Sequence, residues 1–202
     1  MTVLEDRIEM AEEDGELTLD DLFESLERTT PEGYKVEIVE GAVFMSPQRD
    51  THWEIIAGIY DQLRTKYPRK RLKSDVRIDY PGHLNGFASD VTLVAEGAER
   101  TPGGLWRCGD VEFVAEVISK GTAHNDYGPK KAAYAVAEVA AYLIVDPYQG
   151  KCHLYTQPKD GEYVSELTVS FGADVDMTTT PLGLTLTTDE FPRDARDRHH
   201  RP

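Results

Sequence analysis

An acidic residue, Glu116, stands inside the otherwise apolar stretch VEFVAEVIS. Side chains alternate between the two faces of a strand, which places Glu112, Val114, Glu116 and Ile118 on one face. Burying an isolated charge is costly, so a carboxylate in this position has to be paired, bound to a metal ion or placed at a rim. The stretch therefore leaves two interpretations open, a glutamate paired with a neighbouring lysine or a metal ligand.

A second carboxylate, Asp90, opens the preceding apolar stretch SDVTLVAE. If the two strands adjoin, Asp90 and Glu116 come within reach of one hard cation. Mg²⁺ accepts one or two carboxylates together with water and phosphate oxygens. Asp90 and Glu116 are therefore a candidate site for Mg²⁺ (or Mn²⁺). With a lysine nearby, such a set suits phosphodiester cleavage, because the metal ion polarises the phosphate and lysine stabilises developing charge.

Two lysines, Lys130 and Lys131, open the helix predicted in YGPKKAAYAVAEV, directly after the glutamate strand. Proline is common at the first helical positions, so Pro129 places the helix start near residues 126–128. Lys130 shares a face with Tyr134, four residues on, while Lys131 points about 100° away. Asp126 either caps this helix or belongs to the site.

The elements that position these residues follow from hydrophobic periodicity and turn residues. Helices are predicted in LDDLFESLER with Thr18 as N-cap, at about residues 52–67 and in YGPKKAAYAVAEV, and a hairpin in YKVEIVEGAVFMSP. Strands are predicted in LKSDVRIDY, ASDVTLVAE, VEFVAEVIS, AYLIVDP, KCHLYT, VSELTVSF and residues 182–186. This order is typical of a mixed α/β or α+β domain in which helices flank a central sheet.

The composition fits one domain of 202 residues with 40% hydrophobic content. We expect a folded domain at residues 18–188, an acidic disordered leader at 1–17 and a disordered tail at 189–202. No apolar run is long enough to span a membrane, and the N-terminus has no apolar signal core, which favours the cytoplasm. Cys108 and Cys152 are expected to be reduced.

The net charge of −15 argues against a protein that simply coats nucleic acid. Residues 1–30 hold eleven acids against two arginines and so contribute −9, which leaves −6 for the remainder. Any contact with DNA therefore has to be local.

The order and spacing of several motifs resemble the PD-(D/E)xK nuclease superfamily and, more narrowly, its Uma-type restriction-endonuclease-like family of bacterial proteins. The similarity covers roughly residues 18–187. The matching residues are Glu37 to Gly41, Met45-Ser46-Pro47, His52, Ser89-Asp90, Glu116 to Ser119, Thr122, Asp126, Lys130, Tyr134, Val139, Tyr142 and Val145-Asp146-Pro147. Ser89 and Leu143 stand where the family has proline and tryptophan, and neither change removes a metal ligand.

The resemblance implies a restriction-endonuclease-like fold, with Asp90 and Glu116 as ligands of a divalent metal ion. In the superfamily pattern the lysine would stand at position 118, which is Ile118 here. The Uma-type pattern takes it from the next helix instead, so Lys130 is the implied base-like or charge-stabilising group. Glu37 is implied as a further acid near the metal, and His52 is either a site residue or the cap of its helix.

The leading hypothesis is a Mg²⁺-dependent endonuclease that hydrolyses phosphodiester bonds of DNA, in which a homodimer would allow both strands to be cut. The alternative is a catalytically silent protein of the same fold that acts as a binding or regulatory module. A third interpretation, a structural or toxin–antitoxin-like component, depends only on the acidic leader. The residues leave the choice between DNA and RNA open.

Overall fold

The computed structural model describes residues 17–47 and 49–194. Its helices are α1 (Leu19–Glu27), α2 (Asp50–Arg64), α3 (Ala123–Tyr127) and α4 (Pro129–Val136). The strands are β1 (Tyr34–Val39), β2 (Ala42–Pro47), β3 (Leu72–Lys73), β4 (Ile78–Tyr80), β5 (Asn85–Phe87), β6 (Val91–Val94), β7 (Trp106–Arg107), β8 (Val111–Val117), β9 (Ala141–Asp146), β10 (Lys151–Lys159), β11 (Glu162–Ser170), β12 (Val175–Asp176) and β13 (Thr185–Leu186).

The main sheet has six strands in the order β11-β10-β9-β8-β6-β3. Its β8–β9 pair is parallel, and its other pairs are antiparallel. Residues of α2 pack in the hydrophobic core on one face, and residues of α4 pack in a second core on the other. The predicted mixed sheet with flanking helices is therefore confirmed.

Strand β8 supplies side chains to both cores, as its alternation predicts. Phe113, Ala115 and Val117 lie in the α2 core, and Val114 lies in the α4 core. Glu116 shares a face with Val114 because side chains two residues apart point the same way. Its carboxylate therefore enters the sheet face that α4 covers.

A second sheet of five strands, in the order β2-β1-β5-β4-β7, was not predicted. Its β1–β2 hairpin does agree with the sequence, and Glu40 and Gly41 take the positive φ values of 51° and 79° that a tight hairpin turn requires. Strand β5 leads within a few residues into β6 of the main sheet. This connection holds the hairpin beside the edge where β6 begins.

One predicted strand is wrong in its extent, and one short helix was not predicted. LKSDVRIDY is not one strand, because β3 pairs with β6 in the main sheet while β4 pairs with β5 in the other. The helix predicted in YGPKKAAYAVAEV is α4, which ends at Val136, and the short helix α3 that precedes it was not predicted. A Cβ atom at Gly128, between α3 and α4, would lie 3.0 Å from the carbonyl oxygen of His124, so glycine avoids a tight contact there.

The predicted leader lies outside the described residues except for Leu17. Residues 189–194 of the predicted tail are described, and there Phe191 packs into the core beside Phe171. In the part of the chain that the structure describes, no helix combines the length and apolar character needed to cross a membrane. Both cysteines are free thiols, as expected.

We expect the core between β8 and α2 to dominate the stability of the domain. Phe113 is fully buried there, so Phe113→Ala should lower the free energy of unfolding by about 3–5 kcal/mol through lost burial and the cavity left behind. Urea denaturation followed by circular dichroism measures this loss. Val164→Ala removes a side chain that is 65% exposed on β11 and should cost less than about 1 kcal/mol. Equal losses in the two variants would contradict the assigned core.

Candidate active site

The register of β6 against β8 brings the two predicted metal-binding acids together. Val91 lies opposite Ala115 in this antiparallel pair, so Asp90 and Glu116 are the next residues to meet. The backbone N–H of Asp90 donates to Glu116 Oε2 at 3.3 Å, and the N–H of Val117 donates to Asp90 Oδ2 at 2.7 Å. Both carboxylates are buried. The predicted proximity is therefore present in the structure.

The ammonium group of Lys130 is fully buried among three carboxylates. Its Nζ lies 2.6 Å from Glu116 Oε1, 3.0 Å from Asp126 Oδ1 and 3.1 Å from Glu37 Oε1. Burial alone would lower the pKa of Lys130, but the three acids outweigh it and raise that pKa well above its ordinary value. Lys130 is therefore a permanent cation in this site.

Lys131 lies apart from these carboxylates. Its Nζ sits over the ring of Tyr155, 4.7 Å from the ring centroid. Helical spacing thus distinguishes the two adjacent lysines as the sequence predicts.

Tyr134 lies one helical turn beyond Lys130 and reaches the same carboxylate. Its hydroxyl group donates to Glu116 Oε1 at 2.7 Å and lies 2.8 Å from Ser89 Oγ. Residues four apart on a helix are neighbours on its surface, which explains why both side chains converge on one oxygen. Tyr134 and Ser89 thus fix the orientation of Glu116.

The pKa of Glu116 reflects these neighbours. Burial opposes ionisation of this carboxyl group, but the ammonium groups of Lys130 and Lys35 and the hydroxyl group of Tyr134 favour it and lower the pKa to about 2. Glu116 is therefore a carboxylate at neutral pH. An ionised oxygen donor is the form that a metal ion requires.

Asp126 does not cap α4, so this interpretation is wrong. It lies within α3, and the residue before α4 is Gly128, which offers no side chain for capping. Burial raises the pKa of Asp126 to about 7, with Lys130 acting in the opposite direction and Glu116 and Glu37 adding to the increase. Asp126 can thus gain or lose a proton near neutral pH while it stays beside Lys130.

Glu37 reaches the site from β1 of the second sheet. Its Oε1 accepts the backbone N–H of Ala88 at 3.0 Å, two residues before Asp90. This hydrogen bond ties the hairpin to the start of β6. The position agrees with the implied role of Glu37 as a further acid near Asp90 and Glu116.

Lys35 is a site residue that the sequence interpretation missed. Its Nζ lies 2.8 Å from Asp90 Oδ1, 3.9 Å from Glu116 Oε2 and 4.0 Å from Glu37 Oε2. The sequence could have indicated Lys35, because it lies two residues before Glu37 on β1. Residues two apart on a strand share a face, so the two side chains point to the same side of the hairpin.

His52 is not the cap of α2, so this interpretation is also wrong. Arg49 holds the N-cap position, and His52 lies inside the helix. Its Nε2 lies 2.9 Å from the carbonyl oxygen of Val117 and 3.2 Å from Ser119 Oγ. Because a carbonyl oxygen only accepts hydrogen bonds, Nε2 carries the proton. Burial lowers the pKa of His52, so the ring is neutral at neutral pH.

All five predicted site residues line one open cleft together with Lys35 and Asp126. Within residues 17–47 and 49–194, no three His, Cys, Asp or Glu side chains are arranged as a ready-made metal cage. The donor set nevertheless fits a hard divalent cation, since Asp90, Glu116 and Glu37 each place an oxygen within 4.0 Å of one positive charge, that of Lys35.

A mixed sheet flanked by helices, with two acids on adjoining strands and a lysine on the next helix, defines a restriction-endonuclease-like protein. The fold is similar to the crystal structure of "a putative nuclease belonging to DUF820" from Anabaena variabilis ATCC 29413, with a TM-score of 0.65 and 13% sequence identity. The similarity covers 87% of this chain and 97% of that one.

The family model of Uma2, described as "Putative restriction endonuclease", matches residues 20–189. The chain belongs to the Uma2 family. No curated protein matches the chain. Family membership supports a nuclease, a hydrolase that acts on nucleic acid, and the structural neighbour agrees in fold.

The low pKa of Glu116 predicts a specific dependence of stability on pH. Its folded pKa of about 2 lies below the ordinary value of 4.5, so its ionisation stabilises the fold above the ordinary pKa, and this contribution is lost as pH falls towards the folded pKa. Between about pH 5.5 and about pH 3, the difference in unfolding free energy between wild type and Glu116→Gln should shrink by about 2 kcal/mol. Urea denaturation at the two pH values measures it.

Glu162→Gln provides the matched control, because Glu162 is exposed on β11. Its difference from wild type should stay nearly constant over the same pH range. A difference for Glu116→Gln that also stays constant would show that its carboxyl group titrates normally in the folded protein.

Proposed function

We propose that this protein is a Mg²⁺-dependent endonuclease that hydrolyses phosphodiester bonds of DNA. The observation that carries the proposal is the convergence of Asp90 and Glu116 on one cation position, beside the buried ammonium of Lys130, in an open cleft. Nuclease-family membership supports the same reaction class.

Asp90 and Glu116 would hold the divalent cation, Mg²⁺ or Mn²⁺, with Glu37 as a further acid beside them. A divalent cation bound there would polarise the scissile phosphate and lower the pKa of an attacking water. With Asp126 protonated, the cleft holds three carboxylates against two lysines, and with Asp126 ionised it holds four. This excess of negative charge favours a further cation.

Lys130 would act as a fixed positive charge rather than as a base. Its raised pKa keeps it protonated at neutral pH, so it cannot accept a proton from water. A protonated lysine stabilises negative charge as it develops on a phosphate. Its contacts with Glu37, Glu116 and Asp126 hold that charge at the cleft without reorganisation during the reaction.

His52 would act as a positioning residue. It donates from Nε2 to the carbonyl oxygen of Val117, the last residue of β8, and its Nδ1 is buried without a hydrogen-bond partner in the described structure. This contact links α2 to the end of the strand that carries Glu116. It therefore supports the placement of the carboxylate rather than proton transfer to the cleft.

The proposed substrate is DNA, bound through local contacts, since the net charge of −15 opposes broad attraction of phosphates. Cutting both strands of a duplex would require a second active site, and a homodimer would supply it. A cytoplasmic location fits such a substrate in a bacterial cell.

One observation favours the second candidate function, a catalytically silent protein that binds a partner through the same cleft. The ammonium of Lys35 lies 2.8 Å from Asp90 Oδ1 and neutralises one of the carboxylates that would hold the metal. In that case the two lysines would serve only to compensate the buried acids.

The proposal predicts that Asp90→Asn and Glu116→Gln each reduce Mg²⁺-dependent cleavage by at least about a hundredfold, because each removes a charged ligand needed for transition-state stabilisation. A gel assay on duplex DNA, single-stranded DNA and RNA, with Mg²⁺ or Mn²⁺ at millimolar concentration, measures the initial rates. Circular dichroism checks that the variants remain folded.

Two matched controls separate this effect from a general change of charge. Glu112→Gln alters the same strand as Glu116, at a residue that pairs with Arg71 and does not line the cleft. Asp174→Asn alters an exposed aspartate. Both should cleave at close to the wild-type rate. A wild type that binds nucleic acid without cutting any of the three substrates would favour the silent protein, and full activity in Asp90→Asn would overturn the assigned site.

A further inference from the structure

Lys35 occupies the position in the cleft where the three acids nearest the proposed metal site converge. Its Nζ lies 2.8 Å from Asp90 Oδ1, 3.9 Å from Glu116 Oε2 and 4.0 Å from Glu37 Oε2. Lys130, in contrast, contacts Glu116 through the other oxygen, Oε1. The two lysines therefore face different oxygens of the Glu116 carboxylate. Lys130 contacts Oε1, and Lys35 faces Oε2, the oxygen that also accepts the N–H of Asp90.

The two ammonium groups differ in their surroundings. Lys130 is held by Glu37, Glu116 and Asp126, with three of its contacts at 3.1 Å or less, and its side chain is 2% exposed. Lys35 has one short contact, to Asp90, and its side chain is 12% exposed in the open cleft. Of the two cations, Lys35 is the one that can leave its position with the loss of a single short ion pair.

A divalent cation bound by Asp90 and Glu116 would lie where this ammonium now lies. Two positive charges cannot share one position in a buried site, because their repulsion is screened only weakly there. Binding of one cation therefore requires displacement of the other. The stem of Lys35 extends from β1, so displacement of its ammonium group does not require β1 to separate from β2.

We propose that the ammonium group of Lys35 lies at the metal-binding position when no metal ion is bound, and that a divalent cation binds by displacing this group from Asp90 and Glu116. The inference rests on the proposed function, since it takes Asp90 and Glu116 as the metal ligands. In the metal-free protein, Lys35 holds the acids together and limits their mutual repulsion. It also sets the affinity for the metal, because every binding event has to break the contact with Asp90.

The test is calorimetric titration of the full chain with Mn²⁺, comparing wild type with Lys35→Met and Lys35→Gln. Both variants remove the competing charge, so each should bind Mn²⁺ with a Kd at least tenfold lower than wild type. Lys131→Met is the matched control, because it removes the same charge from an ammonium that stacks on Tyr155 outside the carboxylate cluster. Its Kd should stay within twofold of the wild-type value.

Thermal unfolding gives a second readout that does not depend on activity. Without metal, Lys35→Met should have a lower Tm than wild type, because Asp90 loses its short ion pair. Addition of Mn²⁺ should raise the Tm of Lys35→Met more than that of wild type. If Lys35→Met does not fold without metal, Lys35→Gln decides the comparison, since its amide can still donate a hydrogen bond to Asp90.

The possible results separate failure of this inference from failure of the proposed function. If wild type binds Mn²⁺ and Asp90→Asn abolishes that binding, but both folded Lys35 variants have an unchanged or higher Kd, then the displacement of Lys35 is overturned and the metal site stands. An equal gain in affinity for Lys131→Met also overturns it, because net charge alone would then explain the effect. Absence of Mn²⁺ binding in wild type and in both Lys35 variants overturns the inference and the metal-dependent function together.

Discussion

The site depends on one constraint, which is that carboxylates have to neutralise the buried ammonium group of Lys130. Lys130 is almost completely buried, and a buried charge is tolerated only when it is paired and hydrogen-bonded. Its partners come from three separate elements, with Glu37 on β1, Glu116 on β8 and Asp126 on α3. The hairpin, the central sheet and the two short helices α3 and α4 therefore all contribute to the cluster around Lys130.

The same constraint explains why the carboxylates of the site have a defined geometry. Tyr134 and Ser89 orient Glu116 through hydroxyl groups, and the N–H groups of Asp90 and Val117 link the two acids across adjoining strands. These contacts leave an excess of carboxylate charge in the cleft. Under the proposed function, these carboxylates would hold a cation that assists phosphodiester hydrolysis, and membership of a restriction-endonuclease family supports that reaction class.

Several features were predictable from the sequence because they depend on local spacing. The face of β8 on which Glu116 lies follows from strand alternation, and the selection of Lys130 over Lys131 follows from its four-residue spacing to Tyr134. Other elements escaped prediction for equally local reasons. Strand β5, with the sequence Asn-Gly-Phe, and strand β7, with only two residues, are too short and too weak in β propensity to stand out from turns.

By itself, the sequence determined the mixed sheet with its flanking helices, the adjacency of Asp90 and Glu116, and the lysine on the following helix. Only the tertiary structure decided that Lys35 joins them, that Asp126 pairs with Lys130 instead of capping a helix, and that His52 supports the end of β8. Lys35 meets Asp90 across 55 residues of chain. Such a contact depends on how a second, unpredicted sheet turns β1 towards β6. Periodicity describes which face a residue occupies, and it contains no information about which distant face will lie opposite.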